Sequence, residues 1–168
     1  MRPEFSVRQQ ADSVPPAGLD RVVEAGPEAR AALAARFGLP AILSLSGRFR
    51  LTPLPGGVVR AGLALRARVR QVCVLTLEEF EAAIAEDAVL RFVPEERQRG
   101  DIDPEEAEDE IPYAGGSFDL GEAVAEQLAL ALDPYPRAPG ASLPEAESPA
   151  SPPAPEPEPP AVLARGRR

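Results

Sequence analysis

The chain has 168 residues, 18 of them basic and 27 acidic, for a net charge of -9, a length that suits one domain with a tail. Every basic residue is Arg. With neither His nor Lys, the chain lacks the usual near-neutral acid and base, imidazole metal ligands and Schiff-base lysines, while Cys73 as the single cysteine excludes an intramolecular disulfide. The first residues, MRPEFSVRQQADS, contain no apolar signal core, and no window reaches the ~20 apolar residues of a membrane span, so a cytoplasmic protein without a membrane partner is expected. Much of the 44% hydrophobic fraction is Ala. Leu, Val, Ile and Phe at periodic positions must therefore supply most of a modest core.

Phe5 and Val7 alternate with polar neighbours, Val14-Pro15-Pro16 breaks the run, and residues 19–24 read as a second short strand. Gly26-Pro27-Glu28 opens a helix with Ala29, Leu33 and Phe37 at intervals of four, and Gly38-Leu39-Pro40 stops it. A long hairpin follows. Leu43, Leu45, Gly47, Phe49 and Leu51 alternate with Ser44, Ser46, Arg48 and Arg50; after a turn over 53–57, Val59, Ala61, Leu63, Leu65, Ala67 and Val69 resume the apolar face. Alternation loses phase at Val72-Cys73-Val74-Leu75, which predicts a bulge or a strand buried on both faces. Residues 76–93 fit two periods: Leu77, Phe80 and Ile84 a helix with a Thr76–Glu79 capping box, and Phe80, Ala82, Ile84, Ala88, Leu90 and Phe92 a strand. From 95 to 110 the chain is acidic and reads as a flexible loop; beyond 140 it is rich in Pro, Ala and Glu and reads as a disordered tail.

The most specific phrase is IPYAGGSFDLGEAVAEQLALALDPYPR at 111–137: a Tyr-x-Gly-Gly turn, then Asp119 with Glu122 as a capping box, then Leu120, Val124, Leu128, Ala131 and Leu132 on one helical face, and Asp133-Pro134 as the stop. With VRQVCVLTLEEFEAAI at 69–84, it resembles the YceD family, the large ribosomal RNA accumulation proteins, in the form seen in alphaproteobacteria. The resemblance spans roughly residues 1 to 140. It implies that 76–93 is strand, and it implies a non-enzymatic role in the synthesis, processing or stability of large-subunit ribosomal RNA. Partners would be that RNA or a pre-ribosomal particle, with no cofactor and no small-molecule substrate.

Charge is strongly segregated. Between Ile42 and Leu75 stand Arg48, Arg50, Arg60, Arg66, Arg68 and Arg70 and no acid, a net +6; from Glu78 to Glu110 fourteen acids oppose Arg91, Arg97 and Arg99, a net -11. The hairpin puts all six arginines on its solvent face, and clustered guanidinium forks suit phosphate oxygens without reading sequence. No aromatic residue interleaves with them, so base stacking from this face has no support. Two duller readings stand beside RNA contact: the acidic loop folds over the face and neutralises it, or the face is solvated surface. A different class of function places a basic ribosomal protein on the acidic run, at Asp101, Asp103, Glu105, Glu106, Glu108, Asp109 and Glu110. That run lacks the Gly and the terminal Glu spacing of a calcium loop.

Relatives in the family carry Cys-x-x-Cys-Leu near Cys73, whereas here Thr76 stands at the second thiol position. A lone thiol completes neither a zinc site nor a redox pair, and Cys73 reads as a small core residue. The fold expected is α+β: a bent antiparallel sheet or partial barrel around the hairpin, two packed helices at 27–37 and 120–132, and a domain over 1–140 that includes the acidic loop 95–110, followed by the tail 141–168.

Overall fold

A computed structural model describes residues 2–96 and 109–142. Its elements in chain order are β1 (Arg8–Gln10), β2 (Leu19–Glu24), α1 (Pro27–Phe37), β3 (Ala41–Pro53), β4 (Val59–Val72), β5 (Glu79–Pro94), β6 (Asp109–Tyr113), β7 (Ser117–Asp119) and α2 (Leu120–Ala131). Strands β2-β3-β4-β5-β6 form one open sheet, and β1 pairs with β7 in a second. All pairings are antiparallel except β5 with β6. The fold is α+β as expected, and the sheet does not close into a barrel.

Burial follows the alternation of the long strands. Phe49, Leu51, Ala61, Leu65, Val69, Leu90 and Phe92 have no solvent exposure and join Leu33 of α1 and Leu120, Val124 and Leu128 of α2 in a single core. Both helices therefore lie over one face of the main sheet, leaving the other face to solvent. Close approach of α2 depends on Gly47, where an added Cβ would sit 2.5 Å from Cγ2 of Val124. Phe118 stacks on Phe92 with ring centroids 4.1 Å apart, tying the small sheet to the large one.

Several expectations need correction. The N-terminal strand is Arg8–Gln10 rather than the stretch around Phe5 and Val7. Leu43 is only half-buried, because a register shift between Ile42 and Ser44 turns Ile42 into the core instead. The loss of phase at 72–75 marks a strand end, not a bulge: the N–H of Cys73 donates to Glu78 O at 2.9 Å and that of Leu77 to Cys73 O at 2.9 Å, closing a tight turn into β5. Leu77 takes a φ of 59° there, is 78% exposed, and belongs to no helix. Residues 79–94 form the strand that the family resemblance implies. Asp109 and Glu110, assigned to the acidic loop, instead begin β6, an edge strand beside Leu90 to Pro94. Residues 97–108 and 143–168, which hold the rest of the expected loop and nearly all of the expected tail, lie outside the described residues. Among the described residues, the outer edge of β5 from 79 to 89 has no strand beside it.

Asp119 caps α2, its Oδ1 accepting from the N–H groups of Gly121 at 2.9 Å and Glu122 at 3.2 Å. The reciprocal half of the capping box is replaced: Glu122 Oε1 accepts from Arg36 Nη1 at 3.0 Å, joining the end of α1 to the start of α2. Glu4 pairs with the same guanidinium nitrogen at 3.2 Å.

Candidate nucleic-acid interface

Strand pairing places the six arginines of the hairpin on one face. In β3 and β4, Arg48 stands opposite Ala64, Arg50 opposite Gly62, Arg66 opposite Ser46 and Arg68 opposite Ser44, with Arg60 and Arg70 continuing the same side of β4. This is the face away from the helices, since the intervening residues Phe49, Leu65, Ala67 and Val69 are buried. Arg91 of β5 joins the group opposite Arg60.

The neighbouring strands bring carboxylates to the same surface. Arg50 Nη1 lies 3.1 Å from Asp20 of β2, and Arg66 Nη1 lies 3.1 Å from Asp87 of β5. Glu81 accepts from Arg68 at 2.7 Å and from Arg70 at 3.3 Å, while Glu79 stands 3.9 Å from Arg70. Each of these acids comes from a flanking strand, where cross-strand and diagonal neighbours fall within reach of a long side chain. Among the described residues, carboxylates of the sheet itself neutralise Arg50, Arg66, Arg68 and Arg70. Arg48, opposite Ala64 on one side and Val22 on the other, has no ion-pair partner among the described residues.

Between the charged residues stand small and apolar ones. Gly62, Ala64 and Val89 lie side by side at its centre, and a Cβ added at Gly62 would meet nothing within 4 Å. All five ion pairs are largely exposed, a setting in which such pairs contribute about 0 to 1 kcal/mol. A phosphate oxygen can therefore compete with a carboxylate for any of these forks.

Asp109 and Glu110 lie on the exposed edge strand, and the remaining acids of the proposed protein-binding run, 101–108, lie outside the described residues. Cys73 is fully buried, and hydrogen bonds from the Ala138 backbone and from Thr76 draw its thiol down to about 7. No group of three or more metal-ligating side chains gathers among the described residues. No helix among them is long and apolar enough to cross a membrane.

Sequence reasoning placed the arginines but missed their carboxylate partners. Glu79, Glu81 and Asp87 were counted with the acidic stretch that follows, and only the register of β4 against β5 reveals which guanidinium each one meets. A hairpin reading of 59–94 from its alternation would have aligned them.

The family model for large ribosomal RNA subunit accumulation protein YceD matches residues 61–161, from the start of β4 through α2 and beyond the described residues. No curated protein and no solved structure matches the chain.

Proposed function

The chain belongs to the YceD family of large ribosomal RNA subunit accumulation proteins, and from that membership we propose that it supports large-subunit ribosomal RNA in the cytoplasm without catalysis, by contacting the phosphate backbone. Arg48, Arg50, Arg60, Arg66, Arg68 and Arg70 carry the contact. Their alignment on one solvent face across two adjacent strands is the observation that supports it. The absence of His and Lys fits a binding role better than acid–base or Schiff-base chemistry.

Acids interleaved with the arginines set the character of the interaction. A uniformly basic face binds tightly and releases a counterion for each phosphate; this face must exchange internal ion pairs for phosphates, so affinity is modest and release is easy. Arg48 offers the first contact because no pair with another described residue has to break.

Binding of large-subunit rRNA fragments at several salt concentrations tests the reading. Reversing Arg66 and Arg68 to Glu should weaken binding and reduce the log-log salt slope by ~0.7 to 0.9 per lost contact. Glu81→Gln, which releases Arg68 and leaves Arg70 only its longer contact with Glu79, should strengthen it. Circular dichroism checks that each variant is folded. Unchanged affinity and slope in the folded Arg66/Arg68 double variant would reduce the face to solvated surface.

A second reading, in which acidic residues hold a basic ribosomal protein, draws support from Asp109 and Glu110 on an edge strand open to a partner. It predicts binding to an isolated basic protein in the absence of RNA.

A further inference from the structure

The Tyr-x-Gly-Gly phrase plays no part in the arginine face, yet it borders a cavity. A space of about 450 Å³ opens at the tip of the β3–β4 hairpin, within the ~300 to 1,000 Å³ range of small-ligand sites. Two glycine turns face it. Gly56 and Gly57 have φ of 79° and 76°, Gly115 and Gly116 have φ of 65° and 72°, and the hydroxyl of Tyr113 donates to Gly57 O at 2.6 Å, pinning one turn to the other. A Cβ added at Gly115 or Gly116 would meet nothing within 4 Å, so bare backbone is presented to open space.

The lining chemistry is mixed in a specific way. Pro53, Leu54 and Val58 give apolar wall, and Asp12 gives a carboxylate that makes no hydrogen bond or ion pair among the described residues. The N–H groups of Gly115 and Gly116 likewise have no acceptor among the described residues. A carboxylate accepts and cannot donate, while the two amides donate. An anion is repelled by Asp12, whereas a flat uncharged ring with an amine edge on one side and acceptors on the other can satisfy both groups.

We infer that this cavity receives one unstacked guanine base of the bound RNA, with Asp12 accepting from the ring N1–H and the exocyclic amine and the Gly115–Gly116 backbone donating to O6 or N7. The inference rests on the RNA reading above and deepens it. Guanine combines a paired donor edge with the O6 and N7 acceptors. Uracil lacks the amine. Val59 lines the cavity from the core side of β4 and the next residue, Arg60, points to the arginine face, so a strand with its base inserted passes round the tip of the β3–β4 hairpin to bring its backbone to that face. The arginine face then holds phosphates and the cavity supplies a preference for one base, a division that a sequence-blind arginine surface cannot make by itself.

Titrating the full chain with GMP and, separately, with UMP separates base from phosphate, since both nucleotides carry the same phosphate. Backbone amide NMR shifts report the location. GMP should move the signals of Asp12, Gly115 and Gly116 and bind about tenfold more tightly than UMP. Asp12→Asn should bring GMP down to the level of UMP, and Ala11→Leu, which narrows the cavity, should remove the shifts at Gly115 and Gly116. Arg66 and Arg68 lie about 23 Å or more along β4 from Val59, beyond the reach of one nucleotide, so their reversal should leave the GMP shifts at Gly115 and Gly116 and the GMP-to-UMP ratio unchanged. Equal binding of GMP and UMP by the native chain, or a preference that survives Asp12→Asn, overturns the base site. Shifts confined to the arginine strands with both nucleotides also overturn it, while leaving the phosphate reading in place.

Discussion

The backbone N–H of Val7 donates to Oδ1 of Asp119 at 2.8 Å, 112 residues away, and the carbonyl of Val7 accepts from the N–H of Leu120 at 2.9 Å. One carboxylate thus caps α2 and anchors the N-terminal segment, and Ser6 donates to its second oxygen. Asp119→Ala removes the cap and orphans a part-buried N–H, so unfolding free energy should fall by about 2 to 3 kcal/mol in urea denaturation. Asp119→Asn keeps an acceptor and should lose clearly less. Equal losses in the two variants would show that charge, not geometry, carries the contact.

Gly47 should tolerate no side chain while Val124 stands above it. The β-branched Val124 has few rotamers to retreat into, so Gly47→Ala should cost about 1 to 3 kcal/mol. Val124→Ala in the same chain relieves the clash and should recover part of that loss, making the pair non-additive. Strict additivity in thermal or urea unfolding would place the strain elsewhere.

The faces of α2 differ sharply. Leu128 is fully buried and Leu130 is 74% exposed, so Leu128→Ala should cost ~2 to 5 kcal/mol and Leu130→Ala less than about 0.5 kcal/mol. Chemical denaturation of the two single variants decides the matter. Comparable losses would mean that Leu130 is covered in solution.

Glu126 provides a test by pH. Burial, and then the neighbouring charge of Glu122, raise its carboxyl above the ordinary carboxylate value, with Arg36 opposing in part. A raised value in the folded state means that folding disfavours the charged form. The resulting cost is absent below the unfolded-state value and grows as pH rises through the folded one. Glu126→Gln should therefore raise the melting temperature at pH 7 and leave it unchanged near pH 3. A gain of the same size at both pH values would point to side-chain packing instead.

Some elements could be read residue by residue because their ends carry their own chemistry. Pro27 at the first turn and Gly38 in the left-handed conformation bound α1 where the sequence reading put it. The long alternation of β3 and β4 was equally legible. Where two periods coincide, as at Phe80 and Ile84, local pattern could not choose between helix and strand, and the choice is made by pairing against β4. Strand β6 was missed for a related reason: Asp109, Glu110 and Pro112 resemble a loop, and only Leu90 and Phe92 alongside them supply the ladder. The shift at Ile42 hides within a continuous apolar run, where alternation carries no phase. In the candidate interface the arginines follow from strand parity alone, but the Arg66–Asp87 pair is a diagonal contact, since Arg66 stands opposite Ala85. The cavity was illegible because it is formed by turns that meet only in the folded chain.

The open edge of β5 bears on how copies of the protein treat one another. An unpaired strand edge is a template for a second chain, and β-proteins commonly defend such edges with charge. Two copies of 79–89 pairing antiparallel about a centre at Ile84 would set Glu81 of each opposite Asp87 of the other, and like charges directly opposite are destabilising. The carboxylates that temper the arginine face thereby also insulate the edge. Neutral replacement of Glu79, Glu81 and Glu86 by Gln and of Asp87 by Asn should remove this insulation, and light scattering of the folded variant should rise with concentration where that of the native chain does not.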